Sequence, residues 1–105
     1  MASKNFNEGK VKLSLVLKDM KNAVEEMARV RQAGIDKGYD RMNWAESIGQ
    51  EDEKQFLEDN LDSIYRHLAA LDDGLLDEES GCYHMAHIAV RACFALEYAM
   101  NGGKA

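Results

Sequence analysis

The sequence predicts an all-α fold: a small bundle of three main helices, completed by oligomerisation. Three observations carry that expectation. Proline is absent, hydrophobic residues make up 46% and aromatics 8%, and Ala, Leu and Met are prominent. Apolar residues recur at i, i+3, i+4 and i+7 over separate stretches. The last stretch is apolar nearly all round, which calls for burial or for cover by a second copy. A chain of 105 residues makes one domain with a modest core.

Residues 1–10 read as a polar lead-in, residues 11–100 as a single helical domain, and residues 101–105 as a tail. The first helix is expected from about Leu15 to Lys37. Met20, Ala23, Val24, Met27 and Val30 form its apolar stripe, and Gly38 is placed to end it. Residues 38–50 break the periodicity and read as a loop, with a short helical turn near Trp44 to Ile48. A loop that carries Tyr39, Arg41, Asn43 and Trp44 has the chemistry of a binding segment; the plainer alternative is a plug for the bundle end.

The second helix is expected from about Glu51 to Leu71, with Leu57, Leu61, Ile64, Leu68 and Leu71 facing the core. Glu51, Asp52 and Glu53 crowd its first turn, where the helix dipole favours acids. Asn60, Ser63 and His67 form a polar strip beside that stripe, expected at the edge of the core. Residues 72–81 make a tight acidic connection. The third helix is expected from about Cys82 to Met100, with Met85, Ile88, Ala89, Ala92, Leu96 and Ala99 as core stripe. His84, His87, Arg91 and Tyr98 share one narrow face of it, within roughly 60° at about 100° per residue. Polar groups on so apolar a helix need partners, since burying them unpaired costs about 1–3 kcal/mol each.

A short link makes the second and third helices antiparallel neighbours. His67, before the link, and His84 and His87, after it, then lie toward the same end as Asp77, Glu78 and Glu79. Imidazoles and carboxylates together can hold a divalent cation, which would neutralise phosphate oxygens and activate water. Arg66 and Arg91 suit a phosphate held directly, without metal. The third alternative is structural: hydrogen-bonded histidines and an arginine paired with an acid.

Other classes are disfavoured. A net charge of −6 gives no general attraction for a nucleic-acid backbone. No apolar run approaches the roughly 18–20 residues of a membrane span, and the polar start holds no signal peptide. Cys82 and Cys93 match neither a zinc nor a thioredoxin spacing and read as two reduced core thiols, so a cytoplasmic protein is expected. There is no P-loop, no G-x-S-x-G and no glycine-rich dinucleotide motif. Glu25 and Glu26 begin an acidic helix motif whose third acid is replaced by Arg29, so no carboxylate metal site is assigned there.

The run Tyr65-Arg66-His67-Leu68, then Gly74, then Asp77-Glu78-Glu79-Ser80-Gly81, then His84-Met85-Ala86-His87 resembles the R-H … G … D-x-E-S-G … H-x-x-H signature of the dATP/dGTP diphosphohydrolase N-terminal family. Upstream, Gly34, Lys37, Tyr39, Asp40, Arg41, Asn43 and Trp44 are similar to its G-x-x-K-Y-G-x-x-N-W segment. The resemblance spans about residue 11 to Tyr98. It implies a phage or prophage protein of the host cytoplasm. It also implies cleavage of a purine deoxynucleoside triphosphate to monophosphate and pyrophosphate, with Mg²⁺ or Mn²⁺.

Two departures stand out. Arg91 replaces the family's Asn, and the K-Y-G order becomes Lys37-Gly38-Tyr39. On this reading His67, Asp77, His84 and His87 hold the metal, and Glu79 and His84 are the catalytic candidates. Lys37, Arg41, Asn43, Trp44, Arg66 and Arg91 bind the nucleotide. A non-catalytic nucleotide binder and a helical interaction protein are the alternatives, and a homo-oligomer is expected in each case.

Overall fold

The computed structural model describes residues 9–38 and 53–101. The expected loop over 38–50 lies outside them from Tyr39 onward, and so do Glu51 and Asp52. The architecture is a small all-α bundle. Among the described residues its helices are α1 (Ser14–Leu17), α2 (Lys21–Asp36), α3 (Glu53–Ala70) and α4 (His84–Met100). No strand occurs among the described residues; the one extended feature is an isolated antiparallel bridge between Leu76 and Tyr83.

The three long helices fall where apolar periodicity placed them. The first differs in two respects: it is interrupted, and Met20 and Ala23 of its expected apolar stripe are exposed. Met20, at φ −115° and ψ 39°, leaves the helical region and separates the single turn of α1 from α2. At the other end, α2 closes at Lys37, and Gly38 follows with φ 101°, a conformation that glycine adopts without a Cβ clash. The Gly38 N–H bonds back to the Ile35 carbonyl at 2.9 Å.

Helix α4 is the centre of the bundle and packs on both α3 and α2. The facing residues differ from those expected. On α3 the buried side chains are Phe56, Asn60 and Ser63, and His67 is half-buried. Leu57 and Leu68, expected in the core, are 46% and 45% exposed, while Leu61, Ile64 and Leu71 are half-buried. On α4 the buried residues are His84, Ala86, Val90 and Tyr98, whereas Met85 and Leu96 are exposed. The polar strip expected at the core edge is therefore the α3–α4 contact itself. Its apolar end is Phe56 against Tyr98, with ring centroids 4.8 Å apart and planes 26° from parallel. Its polar end carries the histidines. Cys82 is buried as expected, but Cys93 is exposed; both thiols are free.

Candidate functional site

The α3–α4 link is a hydrogen-bonded turn. Asp77 organises it: its Oδ2 accepts the Ser80 N–H at 3.0 Å and the Ser80 hydroxyl at 2.7 Å. The Asp77 N–H bonds the Cys82 carbonyl at 2.8 Å, and the Gly81 N–H bonds the Asp77 carbonyl at 2.7 Å. Gly81 sits at φ 74°, in the left-handed region that lets the chain reverse this sharply. The His84 N–H then reaches back to the Leu75 carbonyl at 2.9 Å, which starts α4 opposite the end of α3.

No side chain of the link caps α4. The cap comes from α2, where Glu26 Oε2 accepts the Tyr83 N–H at 3.0 Å. That bond, with the Arg29 hydrogen bond after it, holds the Glu26 carboxyl below its ordinary pKa. Glu26 thus ties α2 to the start of α4.

This start brings all three histidines of the chain together. His67 Nδ1 and His84 Nδ1 face each other at 2.8 Å. His87 stacks on His67 with centroids 4.4 Å apart and planes 9° from parallel. His87 Nε2 lies 2.7 Å from Ser80 Oγ and 3.5 Å from Asp77 Oδ2. Because the Ser80 hydroxyl proton goes to Asp77, His87 donates its Nε2–H to Ser80 Oγ. A chain of contacts therefore runs from Asp77 through Ser80 and His87 to His67 and His84.

The electrostatics favour the neutral form of His67 and His87. Burial lowers the His67 pKa first, and the neighbouring His87 and His84 charges lower it further. Burial also leads at His87; Asp77 opposes it, and His84, Arg91 and Lys37 add to it. Burial by itself would raise Asp77, but the two Ser80 hydrogen bonds and the nearby imidazoles outweigh it and hold the carboxylate below its usual range. Around Arg91, desolvation and then the like charge of Arg66 lower the pKa against the pull of Asp59; a guanidinium remains charged throughout.

These donors suit a divalent cation in kind. Neutral imidazole and ionised carboxylate are the ligating forms. Two nitrogens held cis on one ion at about 2.0–2.1 Å stand roughly 2.9–3.4 Å apart, close to the spacing of the His67 and His84 Nδ1 atoms. The arrangement is paired, however. His67 faces His84 while Asp77 and His87 share Ser80, and among the described residues no three His, Cys, Asp or Glu side chains form one ready ligand set. A cation bridging the pairs needs Asp77 and His87 to turn from Ser80.

Of the other candidates, Lys37 at the end of α2 pairs with Glu79 of the link. The Glu79 side chain is 75% exposed and directed to Lys37. Arg66 and Arg91 are exposed residues, and Arg91 also lies over the Phe94 ring, 6.0 Å from its centroid. Arg41, Asn43 and Trp44 lie outside the described residues.

Sequence reasoning gave Ser80 a place in the signature but no role. The Asp-x-x-Ser spacing, which favours a side-chain-closed turn, was the available signal. Glu26 left no signal, since its partner lies 57 positions away.

The family model described as dATP/dGTP diphosphohydrolase, N-terminal, matches residues 2–105. No curated protein and no solved structure is similar enough to the chain to count as a match.

Proposed function

Because this chain belongs to the dATP/dGTP diphosphohydrolase N-terminal family, we propose that it acts on a purine deoxynucleoside triphosphate, cleaving it to monophosphate and pyrophosphate. The observation that carries this reading is the convergence of His67, His84, His87 and Asp77 at one end of the α3–α4 pair. These four would hold a divalent cation. Bound there, the cation would neutralise phosphate oxygens and lower the pKa of an attacking water. An imidazole-rich set suits Mn²⁺ better than Mg²⁺, which prefers oxygen ligands.

The chain's own residues do the rest. Arg66 and Arg91 hold phosphate oxygens. Lys37 exchanges Glu79 for a phosphate and so frees that carboxylate to take a proton near the bound triphosphate. Asp77 keeps His87 in place through Ser80 until substrate enters. Trp44 stacks on the base, and Arg41 and Asn43 are the further nucleotide-binding candidates of the same segment.

The test is pyrophosphate release from dATP and dGTP with Mn²⁺ or Mg²⁺. Activity in the wild type, lost in His84→Ala, is expected. A wild type inert toward all common triphosphates removes the enzymatic reading.

A second reading is favoured by the family description, which names an N-terminal portion. In it the domain binds the nucleotide without turnover, and Arg91 holds phosphate without metal. Calorimetry separates the two: binding that survives EDTA, without pyrophosphate release, supports the binder.

A further inference from the structure

The described core is small for the helices that it holds. Its buried apolar residues are Phe56, Cys82, Ala86, Val90 and Tyr98, and no large described side chain is fully buried. Meanwhile two stripes with strong core periodicity are only half-buried or exposed. On α3, Leu57, Leu61, Ile64, Leu68 and Leu71 centre roughly 90° around the helix from the Phe56–His67 strip that meets α4. On α4, Met85, Ile88, Ala92, Leu96 and Ala99 centre roughly 120° from the His87–Tyr98 strip, in the same rotational sense.

For right-handed helices packed antiparallel, equal senses of rotation bring both stripes to one side of the pair. Helix α2 occupies the other side, where Met27, Ala28 and Arg31 meet Val90, Cys93 and Phe94. Among the described residues, the α3–α4 pair is thus covered by α2 on one face and presents both apolar stripes on the other.

We propose that this face docks on the same face of a second copy, so that two α3–α4 pairs stack into a four-helix bundle across a two-fold axis. The two stripes are apolar, and an isologous contact sets each against its own copy. The face also has the area. Helix α3 has 18 residues; at 1.5 Å per residue it is about 27 Å long, and two helices at the usual 8–10 Å spacing are about 20 Å across. Two such faces together give about 1,000 Å², the threshold for a specific interface. A bundle of four antiparallel helices supplies the buried centre that one copy lacks.

Leu57 and Leu96 test this cleanly. They lie at the end of the pair away from the histidines and are 46% and 58% exposed in the single chain. In a monomer, Leu57→Glu with Leu96→Glu changes two surface positions and leaves the mass and helicity as they were. Across a dimer interface it places buried charges against apolar partners.

Sedimentation equilibrium of the wild type is expected to give twice the 11.8 kDa chain mass. The double variant is expected to dissociate, with Kd raised roughly a hundredfold or more. A wild type that stays monomeric, or a double variant that keeps the wild-type mass, overturns the proposal. Should the variant unfold, the wild type decides: a Tm that rises with protein concentration supports the dimer, and a constant Tm overturns it.

Discussion

His67 and His87 lie face to face, their ring centroids 4.4 Å apart and their planes 9° from parallel. They come from different helices, and burial is the leading cause that lowers the pKa of each. Two imidazoles in such contact cannot both take a proton without strong repulsion.

Acid should therefore destabilise this protein well above the carboxylate range. Both folded-state pKa values lie below the ordinary histidine value of about 6.5, so the unfolded chain binds more protons than the folded one as pH falls past that point. Stability is then lost progressively below about pH 6.5. Asp77, lowered as well, acts in the same sense at lower pH. Thermal melts followed by circular dichroism across this range are expected to show a falling Tm; a flat or rising profile contradicts the account.

Ser80→Ala removes the hydroxyl that links Asp77, His87 and the Cys82 N–H. A loss of about 1–2 kcal/mol is expected in urea denaturation. The Asp77 pKa should rise toward its ordinary value, because its main lowering cause is gone. NMR titration of the Asp77 carboxyl reads this directly. An unchanged titration would separate Ser80 from the site.

Lys37 and Glu79 should act oppositely on nucleotide affinity. A phosphate must compete with Glu79 for Lys37. Glu79→Gln removes the competitor and is expected to tighten binding several-fold, whereas Lys37→Met is expected to weaken it about tenfold. Both effects should shrink at high salt, since the pair is exposed. Calorimetry with dGTP is the measurement; equal affinities for the two variants would place the phosphates elsewhere.

Asn60 is 2% exposed, and its Oδ1 has no hydrogen-bond partner among the described residues. Its amide N–H bonds only one turn back, to the Phe56 carbonyl at 2.9 Å. Replacing a buried, unsatisfied acceptor with an apolar group of similar size is neutral or stabilising, so Asn60→Leu is expected to hold or raise the unfolding free energy by about 1 kcal/mol. A loss above about 2 kcal/mol would mean that the amide makes a bond of greater worth.

Much of this protein was legible before its structure. Apolar spacing at i, i+3, i+4 and i+7 located the long helices, because a helix must bury one face whatever its neighbours are. A short link made α3 and α4 antiparallel, and that brought His67, His84 and His87 to one end. The Asp77–Ser80 turn and the Glu26 cap were harder to read. The first needs the actual path of the link, and the second joins residues far apart in sequence.

What the sequence by itself determined is therefore periodicity and proximity: which stretches are helical, and which end gathers the polar groups. What only the tertiary structure decided is direction. Helix α3 carries a leucine stripe and, beside it, the Phe56–Asn60–Ser63–His67 strip, and both repeat at helical spacing. The strip turned out to be the buried side, and the leucines stayed half-buried or exposed. Hydrophobic patterning says that a face seeks cover, but the effect has no direction and cannot name the covering surface. Here hydrogen bonds and ring contacts, which do have direction, set the rotation of the helices.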